Sequence, residues 1–490
     1  TNLAAKAFMA VFTRPPPKKR RIAQNARVLA QQSATSSSGS GSSIAANSTA
    51  ESNLPPLDEL DEALEIPGEL IDEGMEQHDT VEVQKAVGIA IEEMANRFHL
   101  RLSDAELKEA REVFPKAAGF ANQIHGSGTL RAMFTDIRNA CKSSGLLNTE
   151  KEVPMQRVVT RWGADAACAN THLELQPVVE AMTSRPGLKL SKFHSSSTQW
   201  DMLDECGECL QIFEEATHVH SQTGVALIHQ VIPHVLLMIF RLGLIRDAVH
   251  DPTTEQPPLL VSRVAAVAAI HVLNKYLKLL EAADIYWLAI VLCPWYKIQW
   301  LETHGYSLAH IDRVRRVLYD RFADYTVRFG PRPEPIAHGE AAPTQTSNRP
   351  RRHFMQVPSA SVQPTVFQAV PLSSPLSIYL ASPPVAEIEV QKVGGLVQYW
   401  ENKSNTPSGC ILGKMALDIL TAPSSSVDVE RAFSGGRMAI NYRQHRTSVG
   451  TFRAKMAVGS WFGTPLLSGA EEVYEMLDGK GSSESPEPLD

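Results

Sequence analysis

Apolar residues recur every three or four positions through most of residues 80–328, as in "TVEVQKAVGIAIEEMANRFHL". This spacing lines apolar side chains along one face of a helix, so it predicts a succession of packed helices. In "QWDMLDECGECLQIFEEATHV" the apolar stripe consists of Trp200, Leu203, Leu210 and Phe213. No convincing strand-length alternation of apolar and polar residues occurs in this segment. We therefore expect a helical domain over residues 80–328.

Local signals indicate where some of these helices begin. Ser103 and Glu106 have the spacing of a capping box, in which two side chains satisfy free backbone N–H groups at a helix N-terminus. The run "VALIHQVIPHVLLMIFRLGLI" is apolar nearly all round, which predicts a buried helix. Pro233 in this run predicts either the start of the helix or a kink, because proline lacks a backbone N–H.

Three segments lack helical periodicity. Residues 1–79 contain a basic run, the stretch "QQSATSSSGSGSSIAANSTAESNLPP" and an acidic stretch, and their low apolar content predicts a disordered tail. Residues 329–389 are rich in Pro and Ser, which predicts a linker. Residues 466–490 are expected to form a second disordered tail.

A compact module is expected at residues 390–465. The stretch "GCILGKMALDILTAP" predicts an amphipathic helix, Ser425 can cap a second helix, and Ser448 can cap a third. We expect the apolar faces of these helices to be buried against the helical domain and a second subunit. The residues assigned to this dimerisation surface or core are Ile411, Leu412, Met415, Ile419, Phe433, Phe452 and Trp461.

The overall composition is that of an ordinary globular protein. The 490-residue chain is 43% hydrophobic and 21% charged, and its net charge of −7 means that any DNA contact must come from local basic patches. Six scattered cysteines favour a reducing compartment over a disulfide framework. Purely apolar runs such as Val235 to Phe240 are too short to span a bilayer, so we expect no membrane partner.

The stretch "KMALDILTAPSSSVDVERAFSGGRMAINYRQHRTSVGTFRAKMAVGSWF" resembles the C-terminal dimerisation region of hAT-superfamily DNA transposases. The residues that carry this resemblance are Pro423, Ser425, Glu430, Arg431, Phe433, Ser434, Arg443 and Trp461. Two upstream segments are similar to the family more weakly. One contains Arg161 and Trp162, and the other contains Leu292, Pro294 and Lys297 in a Leu-x-Pro-x-x-Lys element.

This resemblance implies a mainly α protein: a helical insertion-type domain, followed by a C-terminal helical remnant of a ribonuclease-H-like transposase core. In the family, three carboxylates hold two divalent metals for DNA cleavage, and Glu430 would be the third acid. Upstream of Trp162 we find neither a strand-borne Asp nor a Cys-x-x-His motif, and the family's zinc-binding DNA module is also missing. The alternative for Glu430 is a carboxylate that only stabilises its helix N-terminus.

Because one acid cannot hold two metal ions, we expect no cofactor for this chain alone and no DNA cleavage by it. Mg²⁺ or Mn²⁺ would be expected only if the missing catalytic half were present.

Possible DNA contacts also follow from the resemblance. Arg161 could meet a phosphate while Trp162 stacks on a displaced base, or the pair could simply cap a helical core. A basic patch formed by Arg431, Arg437, Arg443 and Arg446 could contact the DNA backbone, or these could be ordinary surface arginines.

Two further short motifs occur in the chain. The run Lys18, Lys19, Arg20 and Arg21 follows three prolines and can act as a nuclear import signal or as a solvated basic patch. We therefore expect the nucleus as the location of this protein. Cys206 and Cys209 form a lone Cys-x-x-Cys, but their helical spacing favours small packed side chains over a zinc site.

Together these observations predict a degenerate or domesticated transposon-derived protein whose main retained activity is self-association, as a homodimer or a larger oligomer. DNA is a possible second partner, and no small-molecule substrate is expected. Two alternatives remain open: a fragment of an active hAT transposase that cleaves and joins DNA with metal ions, and a domesticated DNA-binding regulator.

Overall fold

The computed structural model of this chain describes residues 1–13, 63–64, 73–158, 162–248, 257–330, 374–427 and 447–461. These ranges contain seventeen α-helices and one short parallel strand pair, β1 (Ala63–Leu64) with β2 (Arg157–Val158). The expected mainly α fold class is therefore confirmed. The basic run at 18–21 lies outside the described residues.

The helices are numbered in chain order. The first nine are α1 (Asn2–Met9), α2 (Glu73–Arg97), α3 (Asp104–Gly126), α4 (Gly128–Ser143), α5 (Trp162–Glu174), α6 (Gln176–Thr183), α7 (Ser197–His220), α8 (Val231–Arg246) and α9 (Leu260–Ala282). The remaining eight are α10 (Asp284–Leu292), α11 (Lys297–Thr303), α12 (Leu308–Phe329), α13 (Pro375–Ala381), α14 (Glu387–Lys392), α15 (Gly395–Ser404), α16 (Cys410–Leu420) and α17 (Val449–Trp461).

The chain divides into two compact units. The first comprises Thr1–Thr223, His234–Tyr276 and Ser425–Asp490, and the second comprises Gly224–Pro233 and Leu277–Ser424.

In the first unit, α7 packs against α3 and α5. A Cβ added at Gly207 of α7 would lie 2.7 Å from the Asn170 Oδ1 of α5, so a glycine permits this close approach. The capping box predicted for Ser103 and Glu106 is confirmed at the start of α3.

The second unit is built around α10, whose residues Trp287–Leu292 are all buried. Helices α11, α12 and α16 pack against α10, and α15 packs against α16. The apolar sequence of α10 fits this position, since a helix that is apolar all round is usually buried.

Two segments differ from the expected boundaries. Helix α1 lies within the predicted 1–79 tail. Phe8 of this helix and Phe12 of the turn after it are buried in the core of the first unit, while Lys6 forms a 2.7 Å ion pair with Asp79 of α2. Helix α13 lies within the predicted 329–389 linker, and α14 begins in it and ends at Lys392. The Pro and Ser content there does not prevent short helices, because Ser374 caps α13 and Pro375 occupies its first turn.

Helix α8 departs from the burial expected of its sequence. Its residues Leu237 and Phe240 are exposed, although the helix does begin close to Pro233 as predicted. When a helix is apolar on all sides, its sequence does not show which of those sides pack against other helices of the same chain. By length and composition, Ile228–Arg246 and Leu260–Ala282 are the two described segments apolar enough to cross a membrane, and the second is mostly buried in the fold.

Candidate self-association site

The C-terminal end of α10 is capped by side chains that come from far along the chain. The last carbonyl groups of any helix lack partners within that helix. Here the Tyr379 hydroxyl of α13 donates to the Val291 carbonyl at 3.0 Å, and the Trp400 indole N–H of α15 donates to the Leu292 carbonyl at 3.0 Å. Both donors are buried, so specific hydrogen bonds fix helices α13 and α15 to α10.

Lys297 forms a second connection between these segments. Its side chain is 1% exposed, and its Nζ donates to the carbonyls of Tyr379 (2.8 Å), Ser382 (2.9 Å) and Pro383 (3.1 Å) and to the Ser382 hydroxyl (2.7 Å). The ammonium also lies 4.3 Å from the centre of the Tyr379 ring. Several oxygens thus offset the cost of burying this cation, although burial still lowers the pKa of Lys297 to about 8.

The backbone at Lys297 is also unusual, since its φ of 51° lies in the left-handed region. This conformation is costly for a residue with a Cβ and persists where the surroundings determine it. The hydrogen bonds of the Nζ hold Lys297 at the start of α11 and so help to maintain its left-handed backbone conformation.

Helices α15 and α16 pack closely as a hairpin. A Cβ added at Gly413 of α16 would lie 2.7 Å from the Ser404 Cα of α15, so the absence of a side chain sets the distance between them. On α16, the Asp418 carboxylate accepts a 2.6 Å hydrogen bond from the Tyr325 hydroxyl of α12. Helix α16 is therefore held from two sides within its own unit.

The residues that the sequence assigned to dimerisation or core fall into two groups. Leu412, Met415 and Ile419 are buried in the second unit, and Ile411 is half-buried. On α17, Phe452 is half-buried and Trp461 is 43% exposed. Phe433 lies outside the described residues. The apolar face of α16 thus contributes to the monomer core.

Helix α17 is the only described α-helix downstream of α16. Its first turn is capped by the Ser448 hydroxyl, which accepts from the Thr451 N–H at 3.1 Å. No residue of α17 is buried, and Val449 and Val458 are 67% and 50% exposed. This helix therefore presents apolar surface that the rest of the described chain does not cover.

The residues expected to act on DNA or metal are not brought together in the described part of the chain. Glu430, Arg431, Arg437, Arg443, Arg446 and Arg161 lie outside it, and Trp162 is described only as the first residue of α5. Within the described ranges, no three His, Cys, Asp or Glu side chains are arranged to hold a metal ion. Cys206 and Cys209 are buried in α7, and burial raises the pKa of both thiols.

Sequence reasoning missed Tyr379 and Trp400 and gave no role to Lys297. The signal for α13 was present, since Ser374 followed by Pro375 is a favoured helix start. The role of Lys297 could not be read from a pattern, because its partners lie more than 80 residues downstream.

Residues 375–462 match the hAT family C-terminal dimerisation region, and this match begins at the first residue of α13. Among curated proteins, no significant match was found. The Leu-x-Pro-x-x-Lys element contacts the matched region through Lys297. The chain therefore contains, over residues 375–462, a segment that matches the C-terminal dimerisation region of the hAT family.

Proposed function

We propose that this protein works mainly as a self-associating, transposon-derived nuclear protein, and that its helical units present the dimerisation region to a second copy. The observation that carries this proposal is the match of residues 375–462 to a dimerisation region whose first four helices are packed into a folded unit. A dimerisation region that is integrated in a stable fold can support a specific interface, because its surface is held in one conformation.

The proposal is tested by co-purification of differently tagged full-length copies. If the two copies are co-expressed, each tag should recover both at comparable amounts. Recovery of only the tagged copy itself would contradict the proposal. Mixing the copies after separate purification adds a control, since slow exchange of stable dimers should then give less mixed complex.

We further propose a secondary association with DNA through Arg431, Arg437, Arg443 and Arg446. The support is their density in a short segment of a chain that is otherwise acidic. Fluorescence anisotropy with labelled duplex DNA should show affinity that falls steeply between 50 and 200 mM salt, by about tenfold or more for a few phosphate contacts. Replacing all four arginines by Gln should remove most of this binding and its salt dependence, whereas equal affinity in both proteins would contradict it.

The nuclear location rests on Lys18, Lys19, Arg20 and Arg21. A fluorescent fusion of the full chain should accumulate in nuclei, and replacing these four residues by Ala should spread the signal through the cell. An unchanged distribution would assign nuclear entry to another segment or to a partner.

A further inference from the structure

Helix α17 cannot be stabilised by its own hydrogen bonds alone. It has 13 residues, and isolated helices shorter than about 12–15 residues are marginal in water even with favourable sequences. It also contains Gly450 and Gly459, which each disfavour an isolated helix by about 1 kcal/mol relative to Ala. Packing against another surface must therefore supply the stability of this helix.

The apolar side chains of α17 indicate which face of the helix packs against the other surface. Val449, Phe452 and Met456 are spaced by three and four residues and share one face, while Val458 lies on the other side. A helix with apolar residues on more than one side is normally buried in the assembled protein. Within the described chain, no residue of α17 is buried.

The other described helices of the dimerisation region each bury apolar side chains within the monomer. Leu376 of α13, Val390 of α14, Trp400 of α15 and Met415 of α16 are all buried in the second unit. Exposed apolar residues on these helices, such as Ile388, accompany buried neighbours and are ordinary for a folded surface. Among the described helices of the region, α17 alone has a continuous apolar stripe and no buried residue.

We infer that the stripe Val449, Phe452 and Met456 of α17 is the main contact between two copies of this chain. This inference rests on the proposed self-association. The occupant is a second copy because the helix lies within a region whose family function is dimerisation. In a two-fold dimer the same stripe is buried in both subunits, so each substitution acts twice.

The test uses the full chain with the double substitution Phe452→Ala and Met456→Ala. Alanine favours helix, so any loss of association comes from the lost side chains and not from an unfolded helix. Sedimentation equilibrium should show the dimer Kd increased by roughly 100-fold, the size expected for truncating central interface residues. The matched control is Arg453→Ala with Lys455→Ala, two exposed positions of the same helix, which should change the Kd by less than about threefold.

A second variant, Ile388→Ala with Val397→Ala, tests the competing surface on α14 and α15. If this variant dissociates the dimer while the α17 variant does not, the inference is wrong and the proposed self-association stands. If the unmodified chain is a monomer throughout, the proposed function itself fails.

Hydrogen exchange decides whether the chain's own residues cover the helix instead. Amide protection in residues 449–461 should increase with protein concentration. Protection that is independent of concentration would overturn the inference, because it would mean that α17 packs within its own subunit.

Discussion

At the scale of single residues, buried polar groups connect segments that are distant in sequence. Lys297 fixes the turn after α13, and Tyr379 and Trp400 cap α10. His172 is a different case, because it is buried in the first unit with no hydrogen-bond partner for either ring nitrogen among the described residues. Its ring stacks on Trp200 with centroids 5.2 Å apart, so it behaves as an aromatic core residue.

Replacing Lys297 by Met should lower the free energy of unfolding of the second unit by about 2 kcal/mol, because one buried and two partly buried carbonyl groups lose their donor. Urea unfolding monitored by tryptophan fluorescence measures this change. The control is Lys392→Met, whose exposed ion pair with Glu389 should contribute less than about 0.5 kcal/mol. Equal stability of both variants would contradict the role assigned to Lys297.

Replacing His172 by Leu should remove part of the acid sensitivity of the first unit. Burial lowers the pKa of His172 to about 3, whereas the pKa in the unfolded chain is about 6.5. Between these values the unfolded state binds the proton more readily, so stability falls as the pH falls from 6.5 towards 3.

The leucine side chain of this variant does not titrate, so its stability should fall less steeply over that range, by up to about 1.4 kcal/mol per pH unit. Urea unfolding at pH 7, 6, 5 and 4 provides the comparison. His218→Leu, at an exposed position of helix α7, is the control for the loss of an imidazole. Parallel pH profiles for all three proteins would show that His172 is not buried as described.

At the scale of elements, close packing depends on glycines at specific positions. Gly413 lets α16 approach α15, whereas an added Cβ at Gly459 of α17 has no atom within 4 Å. Gly413 has no room for a side chain and Gly459 has, although both lie in helices of the dimerisation region.

Gly413→Ala should therefore destabilise the second unit by about 2 kcal/mol or more, because the Cβ would overlap the backbone of Ser404. Gly459→Ala should stabilise α17 by up to about 1 kcal/mol through helix propensity. Thermal unfolding followed by circular dichroism distinguishes them. A stable Gly413→Ala protein would contradict the α15–α16 packing.

The amino-acid pattern predicts most of this architecture at the level of elements. Helical periodicity, the capping box at Ser103 and the amphipathic character of α16 all follow from local spacing. The local spacing does not show, however, which part of the protein covers each apolar helix face. The burial of Met415 within the monomer and the exposure of Phe240 on α8 depend on long-range packing, which a local pattern does not encode. The catalytic and DNA-binding assignments stay predictions.

At the scale of the whole molecule, the boundary of the family match is not the boundary of a folding unit. The match begins at residue 375, but the second unit also includes residues 277–330. Helix α10 supplies the carbonyl groups that Tyr379 and Trp400 cap, so the matched region lacks its own core without α10.

A fragment of residues 375–462 should consequently show no cooperative unfolding transition, whereas a fragment of residues 277–462 should unfold cooperatively. Urea titration followed by near-ultraviolet circular dichroism measures both, and Trp400 is a probe common to the two fragments. A sharp transition in the shorter fragment would contradict the dependence on α10.

The most direct test of self-association is sedimentation velocity of the full chain over a wide range of concentrations. We expect a species of twice the monomer mass at micromolar concentration, which dissociates on dilution. A single monomeric species at every concentration would contradict self-association as the retained activity of this protein.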